Sequence, residues 1–290
     1  MKMKLSSKIW LTLVFIFLYA PLVVMVLISF NSGDSTTQME GFSLKWYREI
    51  FRDHGTLQAF RNTLVLSVLA AVLATVIGTL AAVGIHKMRS KRLRSAVMTV
   101  TNIPMMNPDI VTGISLMLLF VFAARMLNLE TTLSFYTLLI AHITFCLPYV
   151  ILNVLPKLRQ MDKNLPEAAQ DLGCTPLQSF FKVELPFIMP SVWTAMIMAF
   201  TLSFDDFVIS NFTSGSSYET LTIHIYSMIK KSVKPNIYSL FTIIFFAVLV
   251  LLIVYNFTDS ADDRRERAIE RANLRRERRL RKERGELVEE

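Results

Sequence analysis

Six long apolar blocks dominate the pattern of the chain, and polar segments separate them. Four blocks, at 9–30, 62–85, 133–156 and 237–257, contain no Asp, Glu, Lys or Arg. Two others carry only acidic charges, because 95–124 contains Asp109 and 185–218 contains Asp205 and Asp206. A helix of about 20 apolar residues crosses a hydrocarbon core. The pattern therefore predicts an all-α integral membrane protein with six transmembrane helices.

The first block follows three lysines, an arrangement shared by signal peptides and first transmembrane helices. It is longer than the apolar region of a signal peptide, and no small-residue cleavage site follows it. We therefore favour an uncleaved first helix over a cleaved signal.

Basic residues are concentrated in alternate connections between the blocks. Segments 1–8, 86–96, 156–186 and 258–290 hold 23 of the 31 Lys and Arg residues. Because cytoplasmic loops of membrane proteins carry the excess of positive charge, this predicts that both termini are cytoplasmic. The net charge of +8 follows from this topology and does not indicate nucleic-acid binding.

The last 33 residues form a charged tail, so we divide the chain into a permease domain at 1–257 and a cytoplasmic tail at 258–290. The tail carries 11 basic and 10 acidic residues. Their spacing is typical of a solvated helix with ion pairs three and four residues apart. Contact with anionic lipid or with a cytoplasmic partner is the alternative interpretation.

The connection at 156–186 is polar, yet it carries several helix signals. Asn164, Pro166 and Glu167 predict the start of a short helix, and Gly173 predicts its left-handed end. Thr175-Pro176-Leu177-Gln178 predicts the start of a second helix. The first helix would present small or apolar residues, which allow another surface to approach closely. They are Ala168, Ala169, Leu172 and Gly173.

This connection resembles the signature of ABC-importer permeases, which is E-A-A, three residues, Gly, nine residues and I-x-L-P. Glu167-Ala168-Ala169, Gly173 and Val183-Glu184-Leu185-Pro186 match it, with Val in place of Ile. The resemblance implies a coupling helix, formed here by Glu167, Ala168, Ala169, Leu172 and Gly173, that docks on a separate ATPase subunit. The chain has no phosphate-binding GxxxxGK[ST] motif, so ATP and Mg²⁺ are expected on that partner. We expect no bound cofactor, no metal site and no enzyme activity in the chain itself.

The three acidic residues inside the blocks are candidates for a substrate pathway, because charge within a bilayer is costly. Asp109 is either such a ligand or the cap of the helix after Pro108. Asp205 and Asp206 point about 100° apart on a helix, so we expect one to face the pathway and the other to pair or cap a break. Nearby aromatic residues, above all Phe204 and Tyr149, either attract a cation or simply pack.

Over residues 5–257 the chain resembles spermidine/putrescine permeases, with the PotC-type subunit as the nearest pattern. The resemblance rests on segments at 42–47, 108–116, 203–210, 219–221 and 225–228. It implies a MetI-like fold of the type I importers in a bacterial plasma membrane, and transport of polyamines by alternating access. It also implies a second, PotB-like permease, two copies of a PotA-like ATPase and an extracytoplasmic PotD-like binding protein.

Two rival functions remain open from the sequence. One is an ABC-importer permease for another small solute, and the other is a proton-coupled carrier that uses the aspartates as relays.

In the first outer loop, residues 42–51 are expected to place Phe42, Trp46 and Ile50 on one face of a short helix. That face would anchor at the membrane interface or dock a binding protein.

Overall fold

The computed structural model describes residues 5–35, 38–129, 132–162, 164–216, 218–231, 235–246 and 249. These residues form α-helices joined by short connections, with one antiparallel bridge between Asn31 and Phe42. In chain order the α-helices are α1 (Leu5–Ser29), α2 (Lys45–Ile50), α3 (His54–Lys87), α4 (Lys91–Met106), α5 (Asp109–Met126), α6 (Phe135–Gln160), α7 (Asn164–Asp171), α8 (Pro176–Ser179), α9 (Leu185–Asp205), α10 (Val208–Thr213), α11 (Leu221–Lys231) and α12 (Pro235–Phe246). A π-helical turn, Phe180–Glu184, joins α8 to α9.

Five stretches of the described residues are long and apolar enough to cross a membrane. They are Ser6–Ser29, His54–Lys87, Asp109–Met126, Phe135–Gln160 and Pro176–Asp205. The predicted sixth span lies partly outside the described residues, and its described part is the apolar helix α12. The predicted tail at 258–290 lies wholly outside them.

Two predicted blocks are each divided by a break in the helix. The block at 95–124 becomes α4 and α5, because α4 ends before Asn107-Pro108 and proline cannot continue the helical hydrogen bonding. The block at 185–218 becomes α9 and α10, with the break at Asp206-Phe207. Both breaks fall beside the predicted acidic residues.

The chain forms two compact units, and residues 51–232 make up the larger one. Its core is built by α3, α6 and α9. Helix α3 buries a stripe of small residues, and an added Cβ at Gly78 would lie 2.6 Å from Val150 Cγ1 on α6. Small residues are typical of close helix contacts in membranes, where packing rather than water exclusion favours association.

Helix α3 begins two turns before the predicted span because Asp53 caps it. The Asp53 carboxylate accepts hydrogen bonds from the N–H groups of Gly55 and Thr56 and from the Thr56 hydroxyl. The Thr56 hydroxyl, assisted by the two N–H groups, holds the pKa of Asp53 below its ordinary value. The cap is therefore strongest when this carboxylate is ionised.

The smaller unit comprises residues 1–50 and 233–290. Its outer loop is organised by Asn31, whose side chain donates to the carbonyls of Ser35 and Gln38 and accepts from the Glu40 N–H. The Trp46 indole donates to the Asn31 carbonyl at 2.8 Å. These bonds hold Ser35, Gln38 and Glu40 around the Asn31 side chain.

The expected single face of Phe42, Trp46 and Ile50 is wrong. Helix α2 begins only at Lys45, so Phe42 lies before it and is 73% exposed, while Trp46 and Ile50 are buried. The reason is the hydrogen bond of Trp46, which draws its ring into the loop instead of leaving it for the membrane interface.

Candidate functional site

Asp206 occupies the break between α9 and α10 and caps the second helix. Its Oδ1 accepts the Ile209 N–H at 3.2 Å, and its Oδ2 accepts the Ser210 N–H at 2.7 Å. Its side chain is 6% exposed. A carboxylate at the first turn satisfies N–H groups that have no partner within the helix and complements the helix dipole.

A buried histidine, His142 of α6, binds both sides of this break. Its Nδ1 lies 2.8 Å from Ser203 Oγ at the end of α9, and its Nε2 lies 3.0 Å from Ser210 Oγ in α10. The Asp206 Oδ2 atom is 3.7 Å from the same Nε2. The cluster thus fixes the interrupted helix against α6.

Sequence reasoning missed His142 as a functional residue. The signal available was a single histidine inside a block otherwise free of charge, which is unusual in a membrane span. The structure shows that its two ring nitrogens each face a serine hydroxyl, so the imidazole is fully engaged.

Asp205 differs from its neighbour because its side chain is exposed at the last turn of α9. Within the described part of the chain, its carboxylate makes no ion pair. Asp206 therefore caps the break, as expected of one of the two acids, and the pathway role of Asp205 stays a prediction.

Asp109 is the first residue of α5, and the cap position belongs to Pro108. The cap alternative for Asp109 is therefore wrong, and its side chain is exposed. The Asp109 carboxylate lies within electrostatic range of Tyr149 on α6. Asp206 lies within the same range of Cys146, one turn away on that helix.

The two helix breaks are close together because α5 packs tightly on α10. A Cβ added at Gly113 would lie 3.0 Å from Phe212 Cδ2 and 3.6 Å from the Val208 carbonyl oxygen. Gly113 follows Asp109 by about one helical turn, and Val208 follows Asp205 and Asp206. The predicted acids are thus brought into one region of α5, α6, α9 and α10.

The two predicted aromatic residues pack against other rings. Phe204 lies with its ring centroid 5.6 Å from that of Phe200 and 6.4 Å from that of Phe60. The Tyr149 ring lies 5.7 Å from that of Phe145. An apolar groove of about 430 Å³ lies between α4 and α6, but none of the five predicted pathway residues lines it.

The connection after α10 returns to α3 and to the break. Tyr218 donates its hydroxyl hydrogen to the Asn62 carbonyl at 2.8 Å, and burial raises the pKa of this phenol. The Leu221 N–H donates to Thr63 Oγ1 at 2.7 Å, and Thr222 Oγ1 donates to the Asp206 carbonyl at 2.8 Å. These bonds tie the start of α11 to the same region.

The polar connection at 156–186 contains two short helices, as predicted, in α7 and α8. Helix α7 ends in a Schellman motif, with the Cys174 N–H bonded to the Ala169 carbonyl and Gly173 at φ +92°. Thr175 and Gln178 form the capping box of α8. At the start of α7, however, Asp162 rather than Asn164 supplies the accepting side chain, at 3.0 Å from the Asn164 N–H.

The predicted docking residues lie largely on the surface of α7 and of the turn that follows it. Glu167, Ala168 and Gly173 are exposed, Leu172 is 88% exposed, and Ala169 is half-buried. Leu177 of α8, which the sequence prediction omitted, is 71% exposed and extends the apolar surface. The Ser179 hydroxyl donates to the Pro166 carbonyl at 3.1 Å and so holds α8 against α7.

Comparison with known proteins places this architecture among transport permeases. The family described as "Binding-protein-dependent transport system inner membrane component" matches residues 74–267. The putrescine transport system permease protein PotI of Escherichia coli strain K12 is 39% identical over 90% of this chain and 94% of its own length. The spermidine/putrescine transport system permease protein PotC of the same strain is 39% identical over 84% of this chain and 90% of its own length.

A solved structure of low sequence identity also supports the fold. A bacterial ABC transporter involved in the import of the acidic polysaccharide alginate contains a chain that superposes with a TM-score of 0.69. The match covers 86% of this chain and 92% of that chain, at 20% identity. The MetI-like helical fold predicted from the sequence is confirmed.

Proposed function

Because the chain belongs to the binding-protein-dependent transport system inner membrane components, we propose that it is the permease subunit of an ATP-driven importer of polyamines. The observation that carries the proposal is 39% identity, over most of the chain, to permeases of putrescine and spermidine transport. The exposed acids beside two adjacent helix breaks support a cationic substrate. The protein is a multi-pass component of the bacterial inner membrane and is not itself an enzyme.

The proposed pathway uses Asp205 and Asp109 as ligands for ammonium groups. Both side chains are exposed and lie near helix breaks, where backbone carbonyls are released from helical bonding. Asp206 is assigned a structural role, because its carboxylate already caps α10 and faces His142. Phe204 and Tyr149 would form the pathway wall by packing rather than by cation–π contact.

The proposed assembly contains a second, PotB-like permease, two copies of a PotA-like ATPase and a PotD-like binding protein. A related solved structure, with a TM-score of 0.67, is an alginate transporter in complex with a pentasaccharide-bound periplasmic protein. In the present protein, Leu172 and Leu177 would enter the surface of the ATPase, which alone would bind ATP and Mg²⁺. Closure of the ATPase would then move α7 and α8 and alternate the access of the pathway.

The test is uptake of labelled putrescine and spermidine into proteoliposomes that contain this chain, its partner permease and the ATPase. The binding protein is added outside and ATP is enclosed, and Asp205→Asn, Asp109→Asn and Asp206→Asn are compared with the unmodified complex. We expect ATP-dependent uptake that falls at least tenfold for Asp205→Asn. Stimulated ATP hydrolysis without polyamine uptake would contradict the substrate, and uptake driven by a proton gradient without ATP would contradict the importer class.

The coupling part of the proposal has its own variant. Gly173→Leu is expected to abolish uptake, because a side chain at φ +92° is strained and would disrupt the Schellman end of α7. Gly84→Leu is a matched control, since a Cβ there has no neighbour within 4 Å. Normal uptake by Gly173→Leu would contradict coupling through this loop.

A further inference from the structure

A buried carboxylate lies where the connection at 156–186 meets the membrane helices. Glu184 is the last residue of the π-helical turn and is only 3% exposed. Lys87, the last residue of α3, donates from Nζ to Glu184 Oε1 at 2.8 Å, while half of the lysine side chain remains exposed. The pair therefore joins the end of one span to the start of another.

The backbone at this junction has a wider turn than an α-helix. The Leu185 N–H bonds to the Phe180 carbonyl, five residues earlier. Single π-helical turns are rare and are often found at functional sites. Lys87 Nζ also lies 5.9 Å from the centroid of the Phe180 ring, so one ammonium group pairs with the last residue of the turn and lies near the first.

The junction has unused hydrogen-bonding capacity in the described part of the chain. Glu184 Oε2 and His86 Nδ1 are both buried, and neither has a hydrogen-bond partner among the described residues. Buried polar atoms are normally paired, so the free Glu184 oxygen can take a new partner when the backbone shifts.

Glu184 also occupies the variable position of the I-x-L-P segment, and it is buried while Leu172 and Leu177 are exposed. It therefore does not contribute to the docking surface itself. A buried carboxylate is costly without its cation, so separating Glu184 from Lys87 costs free energy when the turn moves.

We propose that Lys87 and Glu184 form the joint through which movement of α7 and α8 is transmitted to α3. Lys87 and Glu184 are positioning residues that contact neither substrate nor ATP. The inference rests on the proposed function, since it requires an ATPase that moves α7 and α8. It adds a route by which movement passes directly from the π-helical turn to α3. The continuous backbone from this turn into α9 is the other route.

The experiment measures uptake per ATP hydrolysed in the assembled complex in proteoliposomes. Lys87→Met and Glu184→Gln are compared with Lys87→Arg, which keeps the cation, and with Lys182→Met, which removes an exposed lysine from the same turn. We expect uptake per ATP to fall at least about fivefold for Lys87→Met and Glu184→Gln, the lower limit of common allosteric couplings. Lys87→Arg and Lys182→Met are expected to retain at least half of the ratio.

Co-purification of the ATPase and the melting temperature of the complex are recorded for each variant, because a purely structural role would change these and leave the ratio intact. An unchanged ratio in Lys87→Met, or equal losses in Lys87→Met and Lys87→Arg, would overturn the inference. Lys87 is half-exposed, so its substitution leaves an assembled protein for this comparison even if Glu184→Gln does not fold. Absence of ATP-dependent uptake in the unmodified complex would instead contradict the proposed function.

Discussion

The clearest prediction concerns two adjacent aspartates that the structure assigns to different roles. Replacing Asp206 with Ala removes the acceptor of two N–H groups at the start of α10 and the carboxylate beside His142. Replacing Asp205 with Ala removes an exposed side chain from the end of α9. We therefore expect Asp206→Ala to destabilise the protein and Asp205→Ala to leave its stability nearly unchanged.

The magnitude follows from the groups that lose their partners. Loss of a capping side chain costs about 0.5–2 kcal/mol. Leaving the N–H groups of Ile209 and Ser210 without an acceptor costs about 1–3 kcal/mol. The expected total for Asp206→Ala is about 1–3 kcal/mol, and Asp206→Asn should lose less because one oxygen still accepts. Asp205→Ala should stay within about 0.5 kcal/mol of the unmodified protein.

The assay is unfolding of the purified protein in mixed micelles as the fraction of denaturing detergent rises, followed by loss of helical circular dichroism. Uptake is measured in parallel with the matched Asn variants. We expect Asp205→Asn to lose uptake at unchanged stability. A stability loss for Asp205→Ala equal to that of Asp206→Ala would refute the division of roles, as would full uptake by Asp205→Asn.

Two further predictions concern packing and pH. Gly78→Ala places a Cβ 2.6 Å from Val150 Cγ1 and should destabilise the protein by about 1–3 kcal/mol relative to Gly84→Ala, which meets no neighbour. Val150→Ala removes Cγ1 but keeps the Cβ, which lies 2.8 Å from the added Cβ, so it should restore only part of the loss. A loss for Gly78→Ala no larger than that for Gly84→Ala would contradict the contact. Asp53→Asn should lower the melting temperature at pH 6, because the ionised cap is stronger. Since the pKa of Asp53 is lowered in the folded protein, this difference should persist above about pH 3.9 and shrink as the pH falls further. Melting curves between pH 3 and 6 test it, and a difference that grows on acidification would contradict the sign.

The fold was largely predictable because membrane helices leave strong signals in a sequence. Long charge-free blocks indicated the spans, and Pro108 was recognised as the residue before a new helix, which begins at Asp109. Gly173 and the Thr175–Gln178 pair indicated the ends of α7 and α8, because left-handed backbone and capping boxes depend on local residue types.

Features that depend on contacts distant in sequence could not be predicted. The role of Asp206 depends on His142, which lies more than sixty residues earlier, and the burial of Trp46 depends on the Asn31 carbonyl. The pairing of Lys87 with Glu184 joins two connections whose separation along the chain gives no indication of proximity. Sequence periodicity reports local structure, whereas these contacts arise from tertiary packing.

The neighbouring breaks explain how one span can hold two adjacent acids with different roles. An uninterrupted helix would turn Asp205 and Asp206 about 100° apart and leave both carboxylates within an apolar environment. Ending α9 at Asp205 lets Asp206 satisfy the new helix start, while His142 and its two serine partners hold the break in place. The stabilised break then leaves Asp205 exposed at the end of α9. Asp206 and His142 therefore support the break at which Asp205 is exposed.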